Sequence, residues 1–319
     1  MAVASSRTTQ VRASHRTHHR EAWRRIRRHW QLYLVLLLPL IYLAIFRYWP
    51  MYGVQIAFRD FTPVEGITGS PWIGLVHFER FFNSYQFWDL LRNTLGISVY
   101  SLLAGFPIPI ILAIAINEAR RYYFKKAVQM VTYAPHFIST VVMVGIILQF
   151  LDPRIGLINK AIAELGGAPA NFIARPDLFQ SIYVWSGVWQ GMGYASIIYI
   201  AALSSIDPQL EEAAIIDGAS RLQKILYIDL PGIMPTAIIL LILNVGQIMN
   251  VGFEKIYLMQ NPLNLTTSEV ISTYVYKVGL LRAQYSFAAA VGLFNSVIDL
   301  VLLVTVNQIA RKIGDTSLW

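Results

Sequence analysis

Three groups of residues are of a type and spacing that could do chemistry. The most ordered is an acidic stretch, Asp207-Pro208-Gln209-Leu210-Glu211-Glu212-Ala213-Ala214-Ile215-Ile216-Asp217-Gly218-Ala219-Ser220, running on to Asp229, Leu230 and Pro231. Its five acids (Asp207, Glu211, Glu212, Asp217, Asp229) stand against Arg221 and Lys224 only. The second group is polar and aromatic residues in apolar surroundings. Asn244, Gln247 and Asn250 are spaced i, i+3, i+6; Trp185, Trp189, Gln190, Tyr194 and Tyr199 precede them; Asn295 lies one turn before Asp299. The third is histidine: His15, His18 and His19 near the start, and His136 beside Pro135. None of these makes a nucleophile, base and orienting group, so no catalytic residue is assigned. No Gly-x-x-x-x-Gly-Lys-Ser/Thr occurs, which excludes a phosphate loop of that kind. There is no cysteine, so thiol chemistry and Cys-type metal sites are excluded.

The elements that must position these residues are apolar. Hydrophobic residues form 55 % of the 319, and charged residues 14 % against about 25 % in an ordinary soluble domain. The formal net charge of +8 is concentrated in residues 1–29, where eight arginines stand against Glu21. No charge occurs in 29–46 after Arg28, nor in 93–117, 127–151, 178–206 or 230–253 beyond their edges, and Asp299 alone interrupts 283–310. About 20 apolar residues cross the hydrocarbon as a helix, and unpaired backbone groups cannot be left in lipid. These two constraints predict an all-α membrane protein of six spans: 30–49, 93–117, 127–151, 178–206, 230–253 and 283–310. With cytoplasmic termini the inner segments carry 16 of the 26 basic residues, which favours that orientation. The expected organisation is a basic cytoplasmic tail (1–29) lying on anionic lipid, a transmembrane domain (30–310) and a cytoplasmic C-terminal tail (311–319). The basic tail's histidines lack other ligands, so no metal site is expected, and the apolar remainder argues against nucleic acid. After the first apolar run comes Phe46-Arg47-Tyr48-Trp49-Pro50 in place of a small-residue cleavage site, so that span reads as uncleaved. The aromatic-rich loop 50–92 is expected to fold as short helices at the outer face.

Within the acidic loop the helix signals are local. Asp207 can cap, Pro208 suits the first helical position, and Glu211 and Glu212 lie near the positive end of the dipole. Gly218 suits a left-handed end, and Ser220 caps a second short helix expected to stop at Leu230-Pro231. Leu210, Ala213, Ala214 and Asp217 share a face. Such a face fits a partner's groove, or belongs to a solvated connector. The amides and aromatics of spans four to six suit a sugar pathway, or ordinary packing between helices aided by Gly187, Gly191 and Gly193. Asp299 reads as polar glue between helices in preference to a pathway group, and His136 as a satisfied hydrogen-bonding residue.

Glu212-Ala213-Ala214-x-x-Asp217-Gly218-Ala219, followed by Ile228-x-Leu230-Pro231, resembles the Glu-Ala-Ala loop of membrane subunits of binding-protein-dependent ABC importers. Tyr48-Trp49-Pro50-Met51-Tyr52-Gly53, Gly69-Ser70-Pro71-Trp72-Ile73-Gly74-Leu75, Asn117-Glu118 and Tyr133-Ala134-Pro135-His136-Phe137-Ile138-Ser139 resemble the carbohydrate branch, and within it permeases for oligo- and polysaccharides, including uronate-containing chains such as alginate. The usual Tyr-Glu before Ala-Ala is Glu211-Glu212 here. The resemblance implies a type I ABC importer permease fold in the bacterial inner membrane. It implies that Glu211, Glu212, Ala213, Ala214, Asp217, Gly218, Leu230 and Pro231 couple to an ATPase subunit. It further implies that ATP and Mg are held by two such partners and not by this chain. A second permease or second copy, and a periplasmic or lipid-anchored solute-binding protein, complete the expected assembly. Trp185, Trp189, Gln190, Tyr194, Asn244, Gln247, Asn250 and Asn295 are the pathway candidates. An ion-driven secondary transporter is the alternative; it would show two related halves and charges at the midplane of several spans, and neither is visible.

Overall fold

The computed structural model describes residues 28–313, 317 and 318. Residues 1–27 of the basic tail, with His15, His18 and His19, and part of the C-terminal tail lie outside the described residues. Helices of eight residues or more are α1 (Trp30–Leu43), α2 (Phe87–Gly105), α3 (Pro107–Glu118), α4 (Tyr122–Tyr133), α5 (Thr140–Phe150), α6 (Leu157–Glu164), α7 (Pro176–Leu203), α8 (Pro208–Ile216), α9 (Leu230–Val245) and α10 (Tyr285–Ile313). The only β pairing among the described residues is one bridge between Arg59 and Trp72. Contacts divide the chain into two units, Met1–Ile56 with Thr62–Ser70, and Ala57–Phe61 with Pro71–Trp319.

α1 continues through a π turn (Ala44–Tyr48) and a 3-10 segment (Tyr52–Phe58), so the helical rod extends beyond the expected end at residue 49. The π turn stops two residues before Pro50. Proline removes an N–H and its ring clashes with the carbonyl four residues back, and a widened turn absorbs both.

The second unit is a bundle. Four rods among the described residues are long and apolar enough to cross a membrane: Trp30–Phe58, Phe87–Glu118, Arg221–Val245 and Tyr285–Lys312. The expected third span is not one continuous helix. Tyr122–Phe137 and Thr140–Phe150 meet at 102°, and together they make a fifth candidate. The break falls at Pro135, and α5 restarts where the Ser139 hydroxyl accepts from the Val142 N–H at 3.4 Å. α7 has 28 residues, enough to cross, but its Trp, Gln, Tyr and Gly content keeps it below the hydropathy of the others. The fifth span also differs. The helical turn Arg221–Lys224 does not stop at Leu230-Pro231; it runs through a π turn (Ile225–Asp229) into α9, again two residues ahead of a proline. α9 then ends at Val245, so 246–252 are not helical as expected for 230–253.

Three apolar clusters hold the bundle. Phe81, Phe87, Phe287 and Val291 gather at one end with Ile271 and Tyr274, where the short helix Val76–Phe82 of the 50–92 stretch packs. Ile97, Val144, Phe179 and Ile256 fill the middle. Ala113, Tyr199, Leu203, Ile233 and Ala237 join α3, α7 and α9 toward the other end. In lipid, association depends on close packing, so small residues at crossings matter. Gly193 is such a crossing: a Cβ there would run into the backbone of Thr132 on α4. Gly191 on the same helix faces open space.

Gly193→Ala should therefore cost about 1–3 kcal/mol through overpacking, seen as a lower thermal midpoint in detergent, while Gly191→Ala leaves the midpoint unchanged. Equal midpoints for the two variants would refute the crossing.

Candidate functional site: a helical hairpin and a polar cavity in one bundle

The hairpin is built by local signals. Asp207 Oδ1 accepts the Gln209 N–H at 3.0 Å and Pro208 opens α8. α8 ends at Gly218, whose φ of 76° is left-handed and would strain any residue with a Cβ. Ser220 then makes a capping box with Gln223: the Gln223 side chain accepts the Ser220 N–H at 2.8 Å, and the Ser220 hydroxyl accepts the Gln223 N–H at 3.4 Å. No residue of α8 is buried. Leu210, Ile215 and Ile216 are exposed, and so are Leu222 and Tyr227 on the second limb. Ala213, Glu212 and Asp217 are exposed beside them, whereas Glu211 and Ala214 turn toward the bundle. Leu230 is half-buried and Pro231 exposed at the start of α9. Exposed apolar side chains interspersed with carboxylates suit a protein partner's groove.

The polar residues of the spans separate into three places. Asn244, Gln247 and Asn250 line one cavity of about 370 Å³, with Ser98, Ser101 and Tyr183. They do not form one helical stripe, because α9 ends between Asn244 and Gln247. Asp299 of α10 causes the exit to hold: its carboxylate accepts the Met249 N–H at 3.0 Å and the Asn250 side-chain N–H at 2.8 Å. Asn295 donates to Asn250 Oδ1 at 3.4 Å. Asp299 is thus glue between two elements. Asn244 donates back to the Leu240 carbonyl at 2.7 Å.

Gln190 lies elsewhere. Its amide donates to the Ile138 carbonyl at 2.8 Å, satisfying the backbone in the break between α4 and α5. His136, in the same break, stacks on Tyr194 with centroids 3.9 Å apart and planes within 2°. Trp185 donates from Nε1 to the Tyr100 hydroxyl at 2.9 Å. Trp185, Trp189 and Tyr194 are 46–52 % exposed, so they line an open face of the bundle and not an enclosed cavity.

Lys255, which the sequence places in an outer loop, is the unexpected member. It sits on the short helix Phe253–Met259 and is 8 % exposed. Its Nζ donates to the Tyr183 carbonyl at 3.0 Å and lies 4.8 Å from the Tyr183 ring centroid. It lines a second cavity of about 360 Å³ with Ser101, Gly187, Gln190 and Gly191. Among the described residues no carboxylate pairs with it. The sequence signal is a lysine next to Glu254 in an otherwise apolar helical turn, and it is weak. Among the described residues no group of His, Asp or Glu could hold a metal ion.

The described residues thus form an apolar helical bundle that carries an exposed, capped hairpin. Residues 105–315 match the family of binding-protein-dependent transport system inner membrane components, and the chain belongs to that family. It is 42 % identical over 288 residues to the polygalacturonan/rhamnogalacturonan transport system permease protein YteP of Bacillus subtilis (strain 168), covering 90 % of each chain. The crystal structure of a bacterial ABC transporter involved in the import of the acidic polysaccharide alginate contains a chain of the same fold. The TM-score is 0.86 and the identity 43 %, over 92 % of this chain and 99 % of that one. A further crystal structure, a bacterial alginate ABC transporter in complex with alginate pentasaccharide-bound periplasmic protein, matches at TM-score 0.86 and 42 % identity, over 93 % and 99 %. The chain is therefore an ABC importer permease of the inner membrane, with the type I fold.

Asp299→Leu removes the acceptor of the buried Met249 N–H and should cost about 1–3 kcal/mol. Asp299→Asn keeps an acceptor and should lose less. Thermal denaturation in detergent reads the order; a Leu variant as stable as the Asn variant would contradict the role given to the carboxylate.

Proposed function

We propose that this permease imports an oligosaccharide or polysaccharide carrying carboxylates, delivered by a solute-binding protein and driven by two ATPase subunits. The observation that carries the reading is the exposed hairpin on a chain of this family. Supporting the cargo are the polygalacturonan and alginate handled by the similar proteins, and a Lys255 without a carboxylate partner among the described residues, at a cavity that also offers hydroxyls and amides. The chain has six spans in this reading, the bent α4–α5 pair being the third and α7 the fourth. Both termini, the 1–29 tail and the 207–229 hairpin are cytoplasmic, as the distribution of Lys and Arg favours.

The mechanism follows from the geometry. α8 docks in a cleft of the ATPase through Leu210, Ala213, Ile215 and Ile216, with Glu212 facing a basic residue there. Ala213 keeps the approach to the ATPase close and Ala214 the approach to the bundle, Gly218 sets the turn, and Leu230-Pro231 lies in the rod that carries the motion into the bundle. ATP and Mg are bound by the partners; this chain hydrolyses nothing. Closure of the two ATPases draws the hairpins of two permeases together and opens the bundles outward. The second bundle is a homologous permease or a second copy. Between them, the open face with Trp185, Trp189 and Tyr194 offers aromatic surfaces for sugar rings, while Asn244, Gln247, Asn250 and Asn295 offer hydrogen bonds to hydroxyls.

Two outcomes test this. In proteoliposomes holding the assembled importer, Lys255→Gln should lower import of oligogalacturonate about tenfold, the scale of one lost charge-assisted hydrogen bond; unchanged import would remove the lysine from cargo recognition. Gly218→Ala should depress binding-protein-stimulated ATPase activity, because the left-handed turn costs about 1–2 kcal/mol with a Cβ. Full stimulation and transport by that variant would argue against the hairpin as the coupling element.

A further inference from the structure

Glu118 is the last residue of α3, Glu211 lies in the first turn of α8, and Lys224 closes the helical turn of the second hairpin limb. The Lys224 ammonium joins all three elements. It donates to Glu211 Oε2 at 3.3 Å and makes a closer ion pair with Glu118 Oε1. The side chains of Lys224 and Glu118 are 15 % and 18 % exposed, so water screens this pair far less than a surface pair. Asp229, wholly buried, has neither carboxylate oxygen hydrogen-bonded and lies within electrostatic reach of Lys224, Glu211 and Glu118. One ammonium thus serves a cluster of three carboxylates.

Two features give the node a consequence. Among the described residues, the Glu211–Lys224 pair is the one side-chain hydrogen bond or ion pair that ties α8 to anything outside its own ends. Glu118, for its part, ends the Phe87–Glu118 rod, and that rod supplies Ser98, Ser101, Gly105 and Pro109 to the cavity wall. We infer that Lys224 is a positioning residue that latches the docking helix to this rod, so that displacement of α8 moves the wall of the cavity. Without the ammonium, α8 can shift on its two turns while α3 stays behind, and Glu118 and Glu211 are left to repel each other. Coupling through a rigid, charge-fixed contact is the physical requirement, since a mobile contact transmits no displacement.

The inference rests on the proposed reading that α8 docks on an ATPase, and the test separates the two. The complete importer, with its ATPase and binding protein, is reconstituted with wild-type chain, Lys224→Met or Lys224→Arg. Three quantities are read: co-purification of the ATPase, basal hydrolysis, and sugar imported per ATP. We expect Lys224→Met to retain the ATPase and its basal rate while sugar per ATP falls at least fivefold, and Lys224→Arg to keep at least half of the wild-type ratio. A wild-type ratio in Lys224→Met overturns the latch, as does an equal loss in Lys224→Arg, which would make the position a matter of packing. If Lys224→Met does not assemble, Glu118→Gln takes its place with the same expectations: a fall supports the latch and a wild-type ratio overturns it. Absence of an ATPase from the wild-type preparation would instead defeat the docking reading itself.

Discussion

A backbone N–H or carbonyl without a partner in hydrocarbon costs several kcal/mol. That constraint organises the irregular parts of this bundle. Helix breaks are admitted at two places only because a side chain from a distant element meets the freed backbone. Gln190 of α7 donates to the Ile138 carbonyl where α4 and α5 part. Asp299 of α10 accepts the Met249 N–H where the chain leaves α9. The polar residues of the spans are therefore employed first in holding non-helical backbone. The cavities lie against those breaks: Gln247, Asn250 and Gly252 line one, and Gln190 and Lys255 the other. Irregular backbone at depth is tolerated where it is enclosed by protein or lines a cavity, and both conditions are met here.

At the hairpin end the arrangement is different. α8 buries nothing, presents leucine and isoleucine outward, and is fixed to the bundle by one ammonium. Such an element gains little stability from its own chain, which is consistent with a surface completed by a neighbour. The rod from Phe87 to Glu118 runs from this end to the polar cavity, whose wall it lines with Ser98, Ser101, Gly105 and Pro109.

What the sequence made legible follows how local each signal is. Asp207, Pro208, Gly218 and Ser220 act within a few residues of themselves, and each takes the place its chemistry predicts. The apolar runs fall on helices, but the helix ends differ from those expected: α9 is extended backward because a π turn accommodates Pro231 in place of a stop. The 127–151 run reads as one span, and the 102° bend in it comes with contacts to Gln190 and Tyr194 that lie far along the chain. The exit after Val245 is held by Asp299, about 50 residues later, so no window around Asn244 could reveal it. Lys255 was invisible for the same reason: an apparent loop lysine becomes a cavity group only once Tyr183 folds against it. Residue type alone likewise could not tell which face of α7 bears Trp185 and Trp189.

The central claim is that α8 is a docking helix on the cytoplasmic side. The chain has no cysteine, so a single one can report its surroundings. Ile215→Cys, in the importer complex in native membranes, is the most direct probe. The account predicts a cross-link to the ATPase subunit with a short bifunctional reagent and no labelling of intact cells by a membrane-impermeant maleimide. Labelling from outside, with no ATPase cross-link, would contradict it.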